Sequence, residues 1–509
     1  MHTDARKISN HSLIEGDICI IGAGAAGISI ALEFINTSRK IILLESGGLE
    51  YDPESQLLNK GYNIGQNYWP LSSARLRYFG GTTGHWAGFC STLDPIDFEE
   101  RKWVPHSGWP FTRKDMDRYY ERAHPVCDLG TYTYDLAYWE KQNPAFQHLR
   151  FDESRVRTKM WQKSPPTRFG IKYRKAILDA PKVHLYTFAN VTNIDLNKSG
   201  SSVTGLELKT LDGKQHRVRA KQYVLSCGAI DNAQVLLCSN SVMKNGVGNQ
   251  NDLVGRYFME HPHVDSADMV LAGNPPMYLY YESFLAIKQF GMLALSEEYQ
   301  RRHNLLNYSA QLIFDPVVAE RDHFIDSVPA DSKKILEFWK GIEKAKKEDG
   351  GKDKKENAKN YVFSTRIEQT PNPDSRVELA ATKDALGMQE VNLNWQLSEL
   401  DKRTIKEANL MIGRELGRTG LGRLRLRDWL FTDNPIWPHY LEGGWHHMGT
   451  TRMNNDPKKG VVDANCKVHG LPNLYIAGSS VFPTGGTANP TLTIVALSLR
   501  LADHLKSLD

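Results

Sequence analysis

Cysteine is scarce and scattered: six residues in 509 (Cys19, Cys90, Cys127, Cys227, Cys238 and Cys466), with no CxxC pair. That spacing supports neither a disulfide framework nor a thiol metal site, and no metal ligands are assigned. Cys19, Cys227 and Cys238 fall inside apolar runs, where a thiol serves as a small buried hydrophobe. A reduced, cytoplasmic protein is the expectation. Long hydrophobic runs are missing too, and no stretch approaches the roughly 20 apolar residues that span a bilayer. Residues 18 to 32 come nearest to a signal-peptide core. Glu15 and Asp17 precede them where a basic region belongs, and three glycines interrupt them. Export with a partner subunit is compatible with this. Charge of one sign is also lacking. With 63 Lys and Arg against 59 Asp and Glu, the net +4 gives no electrostatic case for nucleic acid or an anionic membrane. Internal repeats are absent.

What is present suits a soluble globular protein: 40% hydrophobic and 24% charged residues, in a chain too long for one ordinary core. The expected class is α/β, with an α+β second domain. Residues 17 to 21 (DICII) read as a strand, Ala25 to Phe34 as a helix, and Lys40 to Leu44 as a second strand. That alternation implies a parallel sheet wound with helices. Arg113 to Ala123 suits a helix capped by Thr112. VHLYTF, VTGLELKTLDG and KQHRVRAKQYVLS read as strands between Val183 and Ser226, the last two joined by an Asp212-Gly213 hairpin turn. A helix is expected from Asn232 to Leu237, and another over TLTIVALSLRLADHLKSL at the C-terminus. Gly417, Gly420 and Gly422 stand in an Arg-rich, strandless context. Residues 340 to 360 are lysine-rich and read as a solvated helix end plus loop.

Gly22-Ala23-Gly24-Ala25-Ala26-Gly27 sits between the first strand and its helix. The first glycine permits the turn, the second lets the backbone approach a pyrophosphate, and the third allows close helix packing. The diphosphate then rests on the helix amides and dipole. Glu45 closes the next strand eighteen residues after Gly27, where a carboxylate holds an adenosine ribose. This fingerprint alone does not separate NAD from FAD. Three further constellations follow: Arg77 to Gly88 (RYFGGTTGHWAG), Gly443 to Met453 (GGWHHMGTTRM), and NLYIAGS at 473 to 479 leading to TANPTLT at 487 to 493. Pro490 suits the first helical turn, with Asn489 as its capping residue.

In these motifs the sequence resembles the glucose–methanol–choline (GMC) oxidoreductases along essentially its whole length. SGWPFTRKDMDRYYERA, YVLSCGAIDNAQVLL, NDLVGRYFMEHP and PNPDSRV also match, in family order. The resemblance implies a Rossmann-like FAD domain assembled from residues 13–95, 183–262 and 440–509. Residues 96–182 and 263–439 would form a substrate domain with an antiparallel sheet. It implies His446, in H-x-x-G-T, as the catalytic base and Asn489 as its partner. Gly22, Gly24, Ala26, Gly27, Glu45 and Ser46 would hold the adenosine diphosphate, with Val191 at the adenine and Gly228 and Gly478 beside the phosphates. Gly80, Gly81, Thr82, His85, Trp86 and Ala87 would run along the flavin, and Pro490 and Thr491 would line its ring. A histidine before tryptophan, as at His85, is covalently joined to the flavin in the pyranose oxidase and gluconate–fructose dehydrogenase-like branch. Contact with a dissociable FAD is the other possibility.

Histidine, with an unperturbed pKa of about 6.5, suits removal of a hydroxyl proton, and a carboxamide can hydrogen-bond the developing alkoxide. His447 is read as structural. The substrate implied is a small alcohol of carbohydrate type, with oxygen or an external carrier as electron acceptor. The rivals are a hydroxynitrile-lyase-like member that keeps FAD structurally, and a non-catalytic binding subunit.

Overall fold

The computed structural model describes residues 1–280, 288–314, 360–432 and 436–508. The lysine-rich segment 340–360 lies, except for its last residue, outside them. The first strand is Leu13–Ile21, whose residues Ile18 to Ile21 are buried; the helix Ala25–Leu32 and the strand Ile41–Leu44 follow. The two strands pair in parallel, Ile18 beside Ile41, as continuous apolar runs covered on both faces should. An eight-stranded sheet grows around them, in the order His2–Asp4, Val183–Thr187, Ile41–Leu44, Leu13–Ile21, Gln215–Leu225, Val203–Lys209, Asn190–Leu196. The long strand Gln215–Leu225 forks. Its start pairs antiparallel with Val203–Lys209 through the Gly213 turn, and its end pairs parallel with Leu474–Ile476.

Several boundaries differ from the sequence reading. Asn190–Leu196 was not expected as a strand; it lies antiparallel to Val203–Lys209, with a register shift between Val191 and Asn193 that blurs its alternation. Gly422 is not in a strandless context. It opens the strand Gly422–Leu426, which pairs with Pro262–Leu271, while Gly417 sits in the helix Glu399–Arg418. The expected helices extend to Arg113–Val126, with a reciprocal Thr112–Asp115 cap, and to Ala229–Cys238. The C-terminal helix Pro490–Lys506 packs on both Arg113–Val126 and Ala25–Leu32. Tyr120 and Thr493 hydroxyls meet at 2.9 Å in that seam, and Arg122 bonds Asp503 at 2.6 Å.

A second eight-stranded sheet is antiparallel throughout. It runs Gly422–Leu426, Pro262–Leu271, Asn360–Ile367, Tyr308–Phe314, Gln289–Leu295, Val156–Lys163, Phe89–Cys90, with Glu442–Gly443 beside the start of Pro262–Leu271. Strand Pro262–Leu271 carries an irregularity between Asp265 and Ala267, a bend of the kind strands make beside working sites. Among the described residues, no helix is long and apolar enough to cross a membrane.

Candidate active site

One cavity of about 1050 Å³ runs from the first glycine turn, between the sheets, to the loop before the C-terminal helix. Its floor is built by the glycine fingerprint. Gly22 has φ +100°, and a Cβ there would lie 2.7 Å from Ser226 O; one on Gly27 would lie 1.9 Å from Gly22 O. These two positions hold the turn closed. Gly24 is different: a Cβ added there meets nothing within 4 Å, and the same holds for Gly228 and Gly478. All three precede helical turns, Ala25–Leu32, Ala229–Cys238 and Ser479–Val481, and all three line the cavity. Open backbone at three helix starts is a cradle for anionic groups, since unpaired amides and the helix dipole point there.

Glu45 is 5% exposed and accepts bonds from Ala23 N at 3.1 Å and Gly47 N at 2.9 Å. Burial raises its pKa against those donors. With Ser46 and Val191 also on the wall, the residues present fit FAD: the open glycines would hold its diphosphate, Glu45 its ribose and Val191 its adenine.

At the other end of the cavity stand His446 and Asn489. His446 Nε2 lies 3.2 Å from Asn489 Nδ2, and His446 Nδ1 lies 2.8 Å from Nδ1 of His261. His446 follows Trp445, whose φ of +58° is a rare conformation for a bulky residue. Its ring packs 5.5 Å from His85 and 5.1 Å from Trp69. The backbone of this turn is gripped by Glu260, a fully buried carboxylate. It accepts from Gly444 N at 3.0 Å, His446 N at 2.9 Å, His261 N at 2.9 Å and the Tyr68 hydroxyl. Burial pushes the Glu260 pKa up to about 7. Burial, and then the neighbouring His261, hold His446 well below the usual imidazole value, so its ring is neutral at neutral pH.

The antiparallel sheet forms the facing wall through His263, Asp265, Gln311, Ser364 and Arg366. Register places His263 beside Arg366, and Asp265 and Gln311 on either side of Ser364. Gln311 is 1% exposed, yet neither its Oε1 nor its Nε2 has a hydrogen-bond partner among the described residues. The same is true of His263 Nε2. Buried polar atoms left unpaired cost about 1–3 kcal/mol each, so this wall is built to be satisfied by something else.

Most residues singled out in the sequence line this cavity: Gly22, Gly24, Ala26, Glu45, Ser46, Gly81, Thr82, His85, Trp86, Ala87, Val191, Gly228, His446, Gly478, Asn489, Pro490 and Thr491. Gly27 and Gly80 do not. Both lie behind the lining, and a Cβ on Gly80 would meet Gly170 N at 2.6 Å, so their work is backbone packing. Asn489 occupies the cap position, but its side chain makes no capping bond. The carboxamide turns instead to His446 and accepts from Trp161 Nε1 at 3.3 Å. His447 bonds the Tyr68 hydroxyl at 2.8 Å, and Tyr68 in turn bonds Glu260. Sequence reasoning missed Glu260, His261, His263, Trp161 and Gln311. The first three stand in or beside the NDLVGRYFMEHP segment, a motif noticed without a role; nothing local marks Trp161 or Gln311.

Residues 17–241 match a family model described as FAD dependent oxidoreductase, and residues 371–498 one described as GMC oxidoreductase. The 6'''-hydroxyparomomycin C oxidase of Streptomyces lividus is 25% identical, over 96% of this chain and 92% of that protein. The fructose dehydrogenase large subunit of Gluconobacter japonicus is 23% identical, over 98% and 99%. The solved structure of pyridoxine 4-oxidase from Mesorbium loti shares the fold, with a TM-score of 0.58 at 18% identity over 97% of this chain and 99% of that one. Fold, cradle and matches together define an FAD-dependent oxidoreductase. Its C-terminal quarter, residues 371–498, is similar to GMC oxidoreductases.

Proposed function

We propose that this enzyme oxidises a CH–OH group of a polyhydroxylated small molecule, such as a sugar, glycoside or cyclitol, to a carbonyl, with His446 as base. The observation that carries this reading is the meeting of the His446 imidazole and the Asn489 carboxamide on the wall of the FAD-sized cavity. FAD, when bound, supplies the two-electron acceptor for the hydride leaving the carbinol carbon. His446 Nε2 takes the hydroxyl proton, and the Asn489 N–H bonds the alcohol oxygen as negative charge gathers on it. Loss of one hydride and one proton leaves the carbonyl. Segments 13–95, 183–262 and 440–509 hold the cofactor in this scheme, and 96–182 with 263–439 face the substrate.

The unpartnered amide of Gln311 and Nε2 of His263 favour a substrate with several hydroxyls over an aliphatic alcohol. The names of two relatives, an oxidase of 6'''-hydroxyparomomycin C and a fructose dehydrogenase, agree with that class. An anaerobic screen of sugars, glycosides, cyclitols and amino sugars for bleaching of the flavin band tests the reading. Bleaching by a polyol supports it. Conversion of a hydroxynitrile without bleaching replaces it with lyase chemistry. Hydrogen peroxide release against dye reduction then assigns oxygen or an external carrier as acceptor.

A further inference from the structure

The hydrogen-bond partners around His446 come in two chains of fixed polarity, and both end on its ring. On one side, His261 Nε2 lies 2.9 Å from Gly486 O and 3.4 Å from Gly485 O. Carbonyl oxygens only accept, so Nε2 of His261 carries the proton. His261 is 1% exposed, and burial brings its pKa down to about 4, so it is neutral and its Nδ1 is a bare lone pair. The only polarity left for the 2.8 Å contact is donation from Nδ1–H of His446. On the other side, an indole N–H only donates. The bond from Trp161 Nε1 therefore fixes the Asn489 oxygen toward the indole and turns the Asn489 NH₂ toward His446 Nε2, 3.2 Å away. That contact requires Nε2 to be the unprotonated nitrogen.

We propose that His261 is a positioning residue that holds the proton of His446 on Nδ1 and keeps Nε2 bare toward the cavity, and that Trp161, through Asn489, enforces the same tautomer from the opposite side. The proposal rests on the reading of His446 as base and adds to it which nitrogen works and what decides this. Free imidazole exchanges between tautomers, and a ring with its proton on Nε2 would present a donor where an acceptor is needed. Two rigid anchors remove that freedom. One is the backbone at Gly485 and Gly486; the other is Trp161, fully buried in the strand Val156–Lys163. After the proton is taken, the bare His261 Nδ1 still accepts from Nδ1–H, so the imidazolium keeps its partner without rearrangement.

The test is nitrogen NMR of the FAD-loaded enzyme carrying ¹⁵N-imidazole histidine at pH 8, with the His446 signals identified by their loss in His446→Gln. The expected result is a pyridine-type Nε2 and a pyrrole-type Nδ1; the reverse assignment overturns the proposal. Kinetics form the second arm. His261→Leu should lower kcat by about 10–100-fold, the scale for removing a residue that orients a working histidine, with KM little changed. His261→Asn, whose Oδ1 can stand near the place of Nδ1, should recover most of the loss. Wild-type kcat in His261→Leu would also overturn the proposal. The expected NMR pattern together with full turnover in His446→Ala would reject the base reading while leaving the tautomer assignment standing.

Discussion

His446 and Asn489, 43 residues apart in the chain, face each other at 3.2 Å with imidazole Nε2 against carboxamide Nδ2. One is delivered by a turn clamped to Glu260, the other by the first residue before the C-terminal helix. Neither side chain is used up by its own local backbone. Both are therefore available to a substrate oxygen placed between them and the cofactor.

That pairing separates the two roles by size of effect. His446→Ala should lower turnover by about 10²–10⁴ with FAD still bound, the scale of losing a general base. Asn489→Ala should cost about 10²–10³, the scale of losing one donor to a developing oxyanion. Steady-state kinetics beside the flavin absorbance checks both; near-wild-type turnover in His446→Ala removes that residue from the mechanism.

The rate should depend on pH through the neutral form of His446. Its pKa is held below 6.5 by burial and by His261, so the competent form is fully present above that value. Activity falls as pH drops through the lowered pKa, which puts the acid limb of kcat below pH 6.5. An acid limb centred above pH 7 would assign the titration to another group.

Gly24 and Gly27 should respond oppositely to added bulk, although they belong to one motif. A Cβ on Gly24 meets nothing within 4 Å and the residue lines the cavity, so Gly24→Val should fold, melting as the flavin-free protein does, but purify without flavin. Gly27→Ala puts a methyl 1.9 Å from Gly22 O and should destabilise the turn itself. Melting curves and the flavin-to-protein absorbance ratio read the two effects. A yellow Gly24→Val would move the diphosphate elsewhere.

His85 lines the cavity, with its ring 5.5 Å from Trp445, and burial brings its pKa down to about 3, leaving a neutral imidazole at working pH. Attachment of the flavin through this ring predicts a yellow pellet after acid precipitation and a colourless one from His85→Ala. A colourless wild-type pellet assigns His85 to contact with a dissociable FAD.

Glu260 offers a stability test. Its carboxylate accepts from three backbone amides and Tyr68, and a carboxamide has only one accepting atom. Glu260→Gln should therefore cost about 1–3 kcal/mol for each buried donor left unpaired and lower the melting temperature. Its kcat should fall as well, since the turn that aims His446 loosens. An unchanged melting temperature would deny Glu260 this anchoring role.

Much of this was legible in the chain itself. The strand, the glycine turn, its helix and Glu45 follow from neighbours within about thirty residues, where steric limits at Gly22 and the apolar run beside it leave few alternatives. The register irregularity near Val191 hid one strand, because a slipped residue breaks the alternation that marks a half-buried edge. Asn489 was placed correctly at a helix start, but the capping bond its residue type suggests is not made, since cap propensity describes the local backbone and says nothing of an imidazole arriving from elsewhere.

What the sequence determined by itself is thus the local chemistry: a dinucleotide cradle, and a histidine and an asparagine in recognisable settings. The tertiary structure alone decided their polarity and company. Only when strands from residues 156–163, 262–271 and 308–314 lie in one sheet does Trp161 reach Asn489, His261 reach His446, and Gln311 face the cavity unpaired. The physical reason is that a hydrogen bond depends on where two groups end up in space, and for groups brought together by long-range strand pairing no local spacing records that.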